Sequence, residues 1–209
     1  MNDINKDINT ENKILCAARK IFIKKGREGA RMQEIADEAG VNKAMVHYYF
    51  RNKETIYLTI CEKLLTELFD SLRLSVKPKD SFKSFLMNFI EAHSTFLNKN
   101  SDVLAFTFWE IRKDDDIIKK VFKQKYDVKG SLLNILIDQL KTAEKKGEVR
   151  KNIDPLNLLL NLLSLNIFVY LTQPLAISLL DLNKDVFSKI IENRKEEVFR
   201  LIWNDIRNN

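Results

Sequence analysis

Helix breakers and reactive side chains are what this sequence has least of. Five glycines and three prolines stand among 209 residues, with 45% apolar and 31% charged residues. That composition fits a soluble, mostly helical globule, long enough for one large domain or a small domain fused to a larger one. The two cysteines, Cys16 and Cys61, are isolated and have no CxxC spacing. This argues against a disulfide or a metal site and predicts buried thiols in a reducing compartment. The two histidines, His47 and His93, are far apart, and no Gly-rich phosphate loop, HExxH or GxSxG occurs, so no catalytic residue, metal or cofactor is expected. Asp114-Asp115-Asp116 looks like a metal cluster, but consecutive helical residues point 100° apart. An acidic helix start that complements the helix dipole is the better reading. The opening MNDINKDIN has no apolar h-region, so a cytoplasmic protein is expected. The most apolar run, Leu156–Leu171, is broken by Asn157, Asn161, Ser164 and Asn166 and is shorter than the roughly 20 residues of a membrane span. It reads as a buried helix, with no membrane partner.

What is present is helical periodicity from end to end, without a strand-period segment or a repeat. Residues 1–9 are polar and read as a flexible arm. A first helix runs from about Thr10 to Lys25, with Ile14, Ala17, Ala18, Ile21 and Phe22 as its apolar stripe and Gly26 as its stop. Two short helical patterns then meet at Gly40. Ile35, Ala36 and Ala39 form the apolar edge of one, and Val46, Tyr49 and Phe50 that of the other. Gly40 can take the positive φ of a tight turn, and Asn42 can cap the second helix. This is the spacing of a helix-turn-helix whose second helix enters the DNA major groove. A fourth helix carries Ile56, Ile60, Leu64 and Leu68 towards a linker at Lys77–Ser81. Further helical patterns run over Phe82–Phe96, from Ser101 through Trp109, over Ile117–Lys146, from Asp154-Pro155 to before Pro174, and from Asn183 to the C-terminus. The expected fold is all-α with about nine helices. Residues 1–9 are the arm, 10–53 the helix-turn-helix unit, and 54–209 a helical bundle for ligand binding and dimerisation.

The formal charge of +6 suits a polyanionic partner. Residues 1–60 hold 11 Lys/Arg against 8 Asp/Glu, half the excess in under a third of the length. Between Arg19 and Arg31, six cations face only Glu28. On the second short helix Val46, Tyr49 and Phe50 point together, while Ala44, Met45, His47 and Tyr48 point away and Lys43 lies at the exposed rim. Lys43 can reach guanine O6/N7 or a phosphate, Ala44 or Met45 a thymine methyl, and His47 and Tyr48 the phosphates. The bland alternatives are that Tyr48 joins Tyr49 in the core, and that Lys24, Lys25 and Arg27 form a solvated helix end.

The stretch ARMQEIADEAGVNKAMVHYYFRNKETIY resembles the DNA-binding region of TetR-type transcriptional regulators. The resemblance rests on Ile35-Ala36, Ala39-Gly40-Val41, Val46 to Phe50 and Lys53-Glu54, and covers roughly residues 10–60. It implies that Lys43, Ala44 and Met45 face bases, and that His47, Tyr48 and Lys53 hold phosphates. Two positions depart from the family's habit. Arg31 stands where many relatives have a capping Thr or Ser, and can reach the DNA backbone with its charge. His47 replaces a tyrosine, so mild acidity is expected to strengthen a phosphate contact.

The same resemblance implies a homodimer on the last two long helices, about Asp154–Gln173 and Asn183–Arg207. Their apolar excess agrees and nominates Leu159, Leu163, Phe187, Ile191, Val198 and Ile202. The aromatic-rich bundle nominates His93, Trp109, Tyr126, Asn134, Asn161 and Asn166 for an effector cavity, with a hydrogen-bonded core role as the plainer reading of His93. The expected function is a ligand-responsive repressor that binds a palindromic DNA operator and is released by a small molecule. The competing reading is a protein-interaction module that uses the three-helix unit without DNA.

Overall fold

The computed structural model describes residues 2–75, 77, 81–102, 104 and 132–208, the side chains of 2–8 and 184 excepted. Among the described residues there are nine helices and no strand. They are α1 (Asn2–Gly29), α2 (Met32–Ala39), α3 (Lys43–Phe50), α4 (Lys53–Leu74), α5 (Phe82–Lys99), α6 (Leu132–Lys145), α7 (Pro155–Leu171), α8 (Gln173–Leu179) and α9 (Lys184–Ile206). An isolated antiparallel bridge pairs Val149 with Arg207. Helix α1 extends back to Asn2, across the expected flexible arm. The helix breaks at Gly26 (φ 71°, ψ 169°), the predicted stop. Pro174 starts a helix as well as ending one: it sits in the first turn of α8, where proline removes no intrahelical bond. Most of the pattern from Ser101 through Trp109, and the Asp114–Asp116 turn, lie outside the described residues.

The chain divides into two compact units, Met1–Thr66 with Asp102–Gln124, and Glu67–Ser101 with Lys125–Asn209. In the first, Ile14, Ala18 and Phe22 of α1, Ile35 and Ala36 of α2, and Val46 and Phe50 of α3 are buried together. The front of α4 joins them through Ile56, Tyr57, Ile60 and Cys61, so this core runs past Lys53, where the sequence drew its boundary. Cys61 is buried as expected, but Cys16 is exposed. The inward arc of α1 is already filled by Ile14, Leu15, Ala17 and Ala18, which turns position 16 to solvent.

In the second unit Phe85, Leu86, Phe89 and Ile90 of α5 pack with Leu136 and Leu140 of α6, Leu158 and Leu162 of α7, and Val198, Ile202 and Ile206 of α9. The helix starts are set locally. Asp154 Oδ1 accepts from the Leu156 N–H at 2.9 Å ahead of Pro155, and Asn183 Oδ1 accepts from the Val186 N–H at 2.8 Å. Glu148 reaches across to accept from the Phe82 N–H at 2.7 Å. The Arg194 guanidinium ties α9 to α7 with two hydrogen bonds, 3.0 and 3.2 Å, to the Leu165 carbonyl. Among the described residues no single helix is long and apolar enough to cross a membrane. Helices α7 and α8 reach that length only together, across a 60° bend.

Candidate nucleic-acid interface

The turn between α2 and α3 is built by main-chain chemistry. Gly40 has φ 66° and ψ 34°, a left-handed conformation that costs glycine nothing. Its N–H donates to the Asp37 carbonyl at 3.2 Å and that of Val41 to Ala36 at 3.0 Å, the paired closure of a Schellman motif. Asn42 then caps α3, its Oδ1 accepting from the Met45 N–H at 2.7 Å. At the start of α2, Arg31 occupies the N-cap. A guanidinium only donates, so this end keeps just the Glu34 half of a capping box, in which Glu34 Oε2 accepts from the Arg31 N–H at 3.4 Å. Lys25 pairs with Glu34 at 2.7 Å and holds that carboxyl below its ordinary range by donating to it.

Helix α3 presents two faces. Val46 and Phe50 are buried, and Tyr49 is half-buried against the same core. Lys43, Ala44, Met45 and His47 are exposed, and Tyr48 is 80% exposed, with its ring edge-on to Tyr49 at 5.3 Å between centroids. A phenol so open contributes little to the core, which removes the bland reading of Tyr48. His47 Nδ1 lies 3.0 Å from the Arg51 carbonyl oxygen. Because that oxygen can only accept, Nδ1 carries the proton and the neutral ring offers only a lone pair at Nε2. Lys53 is half-buried. Its ammonium donates to the carbonyls of Glu28 at 2.9 Å and Ala30 at 3.1 Å, fastening α4 to the α1–α2 connection and leaving one of its three N–H donors over. The sequence contained this lysine but not this task.

Most of the basic run in α1 is spent within the protein. Arg19 pairs with Asp102, Lys20 with Glu38 at 2.8 Å, and Arg27 with Glu54 at 3.1 Å. The Arg27 guanidinium also lies 5.2 Å over the Tyr57 ring. The acids come from α2, α4 and beyond, so sequence proximity could not reveal them. Beside α3, Arg31, Lys43 and Arg51 are exposed. Arg51 was missed in the sequence; its position directly after the aromatic end of α3 was the available signal.

Of the residues nominated for an effector, His93 and Asn166 come together. Each is 1% exposed, with Asn166 Nδ2 3.4 Å from His93 Nδ1. Ser94 Oγ meets Asn166 Oδ1 at 3.5 Å, and the Tyr170 hydroxyl donates to the Ser94 carbonyl at 3.4 Å. Burial lowers the His93 pKa to about 4 and raises that of Tyr170. Asn134 is half-buried on α6 and Asn161 is exposed on α7. Trp109 and Tyr126 lie outside the described residues. The dimer nominees divide in two, and burial within the chain takes three of them off the surface. Phe187, Val198 and Ile202 are buried within the chain, and Leu159, Leu163 and Ile191 are half-buried. The outward stripes are Leu156, Leu160 and Phe168 on α7 and Val186, Ile190 and Leu201 on α9.

Residues 14–60 match the family model described as "Bacterial regulatory proteins, tetR family". The fatty acid metabolism regulator protein of Bacillus subtilis (strain 168) is 23% identical over 141 residues, 68% of this chain and 71% of that one. The HTH-type transcriptional activator FasR of Mycolicibacterium smegmatis is 29% identical over 95 residues, 46% of this chain and 43% of that one. Among solved structures, the transcriptional regulator FadR of Bacillus subtilis in complex with stearoyl-CoA superposes with a TM-score of 0.68 at 21% identity, covering 93% of this chain and 98% of that one. This last likeness is one of fold.

Proposed function

We propose that this chain, whose residues 14–60 match the TetR family of bacterial regulatory proteins, is a repressor that binds a palindromic operator as a homodimer and is released by a small molecule. The observation that carries this is α3. An outward row of Lys43, Ala44, Met45, His47 and Tyr48 stands on a buried row of Val46 and Phe50, on a helix whose start and entry angle are fixed by Asn42 and Gly40. Such a helix can enter the major groove with its first turn at the base edges and its aromatic end at phosphates. Arg31 and the remaining donor of Lys53 add backbone contacts. Two-fold symmetry supplies the second half-site. The two outward apolar stripes of α7 and α9 are the surface a second copy would cover, since contiguous patches of that kind mark interaction sites.

Release follows from linkage. A ligand held in the second unit shifts the protein away from the operator-competent arrangement only if it binds the two arrangements with different affinity. Helix α4 is the proposed link, because Ile56, Tyr57, Ile60 and Cys61 belong to the first core and Leu72 to the second. The test is a footprint and gel retention on the DNA upstream of the gene and its neighbours. Specific retention should fall steeply with salt and weaken in Tyr48→Ala and in Lys43→Ala. The lack of any sequence-specific retention or footprint would instead support the protein-interaction module.

A further inference from the structure

Resting on the reading of α3 as the helix that reads DNA, we propose that Lys53, with Glu54 beside it, is a positioning residue for sequence recognition. It closes the open end of the helix-turn-helix and so sets the angle at which α3 meets the bases. At one end of the motif the Gly40 turn joins α2 to α3. At the other, only Arg51 and Asn52 separate α3 from α4. Asn52 Oδ1 accepts from the Thr55 N–H at 2.8 Å, which fixes the start of α4 at Lys53. From there the ammonium reaches back to the carbonyls of Glu28 and Ala30, just ahead of Arg31 and α2. The two helices are thereby held at both ends, by the turn and by the ammonium.

The chemistry suits a fixed joint. Glu28 lies in the last turn of α1, where main-chain oxygens lack helical donors and the dipole favours a cation. Ala30 is 2% exposed, so its carbonyl is shielded from water and a charged donor counts for more there. Glu54 adds a second tie one residue on, its carboxylate accepting from Arg27 Nη1 at 3.1 and 3.3 Å. The Arg27 guanidinium in turn lies over Tyr57, the next residue on that face of α4. Lys53, Glu54 and Tyr57 together hold the stretch that follows the Gly26 break. The core cannot do this alone. Ile35 and Ala36 meet Val46 and Phe50 through apolar contact, which is non-directional, whereas charge-assisted hydrogen bonds fix direction. Direction matters to base edges, which are read by geometry, and far less to phosphates, which attract by charge. Loss of the joint should therefore cost specificity before it costs affinity for DNA in general.

The experiment takes the full chain and two duplexes, the segment footprinted upstream of the gene and a scrambled one of the same composition. The quantity read is the ratio of the two affinities by fluorescence anisotropy, well below the melting temperature. A phosphate contact made by Lys53 lowers both affinities alike and cancels from that ratio. A purely structural role moves the melting temperature and leaves the ratio alone. Lys53→Met should lower the ratio about tenfold. Glu54→Gln sets charge against position: loss of a carboxylate raises affinity for any DNA, while loss of the tie should lower the ratio about threefold. An unchanged ratio in Lys53→Met overturns the proposal; if circular dichroism shows that variant unfolded, Glu54→Gln decides in its place. Hydrogen exchange in the free protein separates the joint from the reading it rests on. The amides of Ala30 and Ile35, bonded to Gly26 and Arg31, should exchange roughly tenfold faster in Lys53→Met. That result in a wild type that discriminates no sequence upholds the joint and overturns the operator reading alone. Unchanged exchange overturns the joint even where the wild type binds its operator.

Discussion

His47 holds its proton on the side that faces Arg51, and this fixes what the ring can do at a phosphate. With Nδ1 committed to the Arg51 carbonyl, only Nε2 is left to meet DNA. His47→Ala is therefore expected to weaken operator binding in fluorescence-anisotropy titrations, and unchanged affinity in the variant would remove His47 from the contact. His93 acts on stability. Its pKa is lowered from 6.5 to about 4 by burial, so below pH 6.5 the unfolded chain takes up a proton that the folded chain refuses. Stability should be at its full value above pH 6.5 and decline as pH falls towards 4, by on the order of 3 kcal/mol for this one group. Chemical denaturation at a series of pH values should show that slope, and His93→Gln should lose this component.

At the scale of elements, α3 separates reading from folding more cleanly than any other helix. Tyr48→Ala should change stability by no more than about 0.5 kcal/mol while weakening operator binding. Val46→Ala should lower stability by about 1–3 kcal/mol, with binding lost as a consequence; denaturation midpoints and gel retention measured side by side distinguish the two. This division is legible in the sequence, because 100° per residue assigns Val46 and Phe50 to one side and Ala44, Met45, His47 and Tyr48 to the other, while Lys43 is open because it is the first residue of the helix. The caps at Asn42, Asp154 and Asn183 are legible there too, since capping is a local bond. Helix α9 is not. It carries two apolar rows, Val186, Ile190 and Leu201 beside Phe187, Val198 and Ile202, and periodicity alone cannot say which one meets the chain's own core. The pairing of Arg19, Lys20 and Arg27 is hidden as well, because each carboxylate lies on another element.

For the whole molecule, the corrected stripes give the dimer reading a sharp consequence. Leu160→Glu and Ile190→Glu should yield a folded monomer with poor operator affinity, seen by light scattering on a sizing column, whereas Val198→Ala should lower the melting temperature without first dissociating the pair. Association unchanged in both glutamate variants would move the interface elsewhere. The buried set His93, Ser94, Asn166 and Tyr170 bears on how such a protein can be rebuilt. Its members are divided between α5 and α7, so sliding either helix by one turn would strand polar groups in an apolar interior, at about 1–3 kcal/mol for each. Anyone grafting this sensing half onto another reading head, or shuffling helices with a related regulator, would have to transplant α5 and α7 as one cassette. A chimera that exchanges only one of them should express poorly, and restoring its matched neighbour should rescue it.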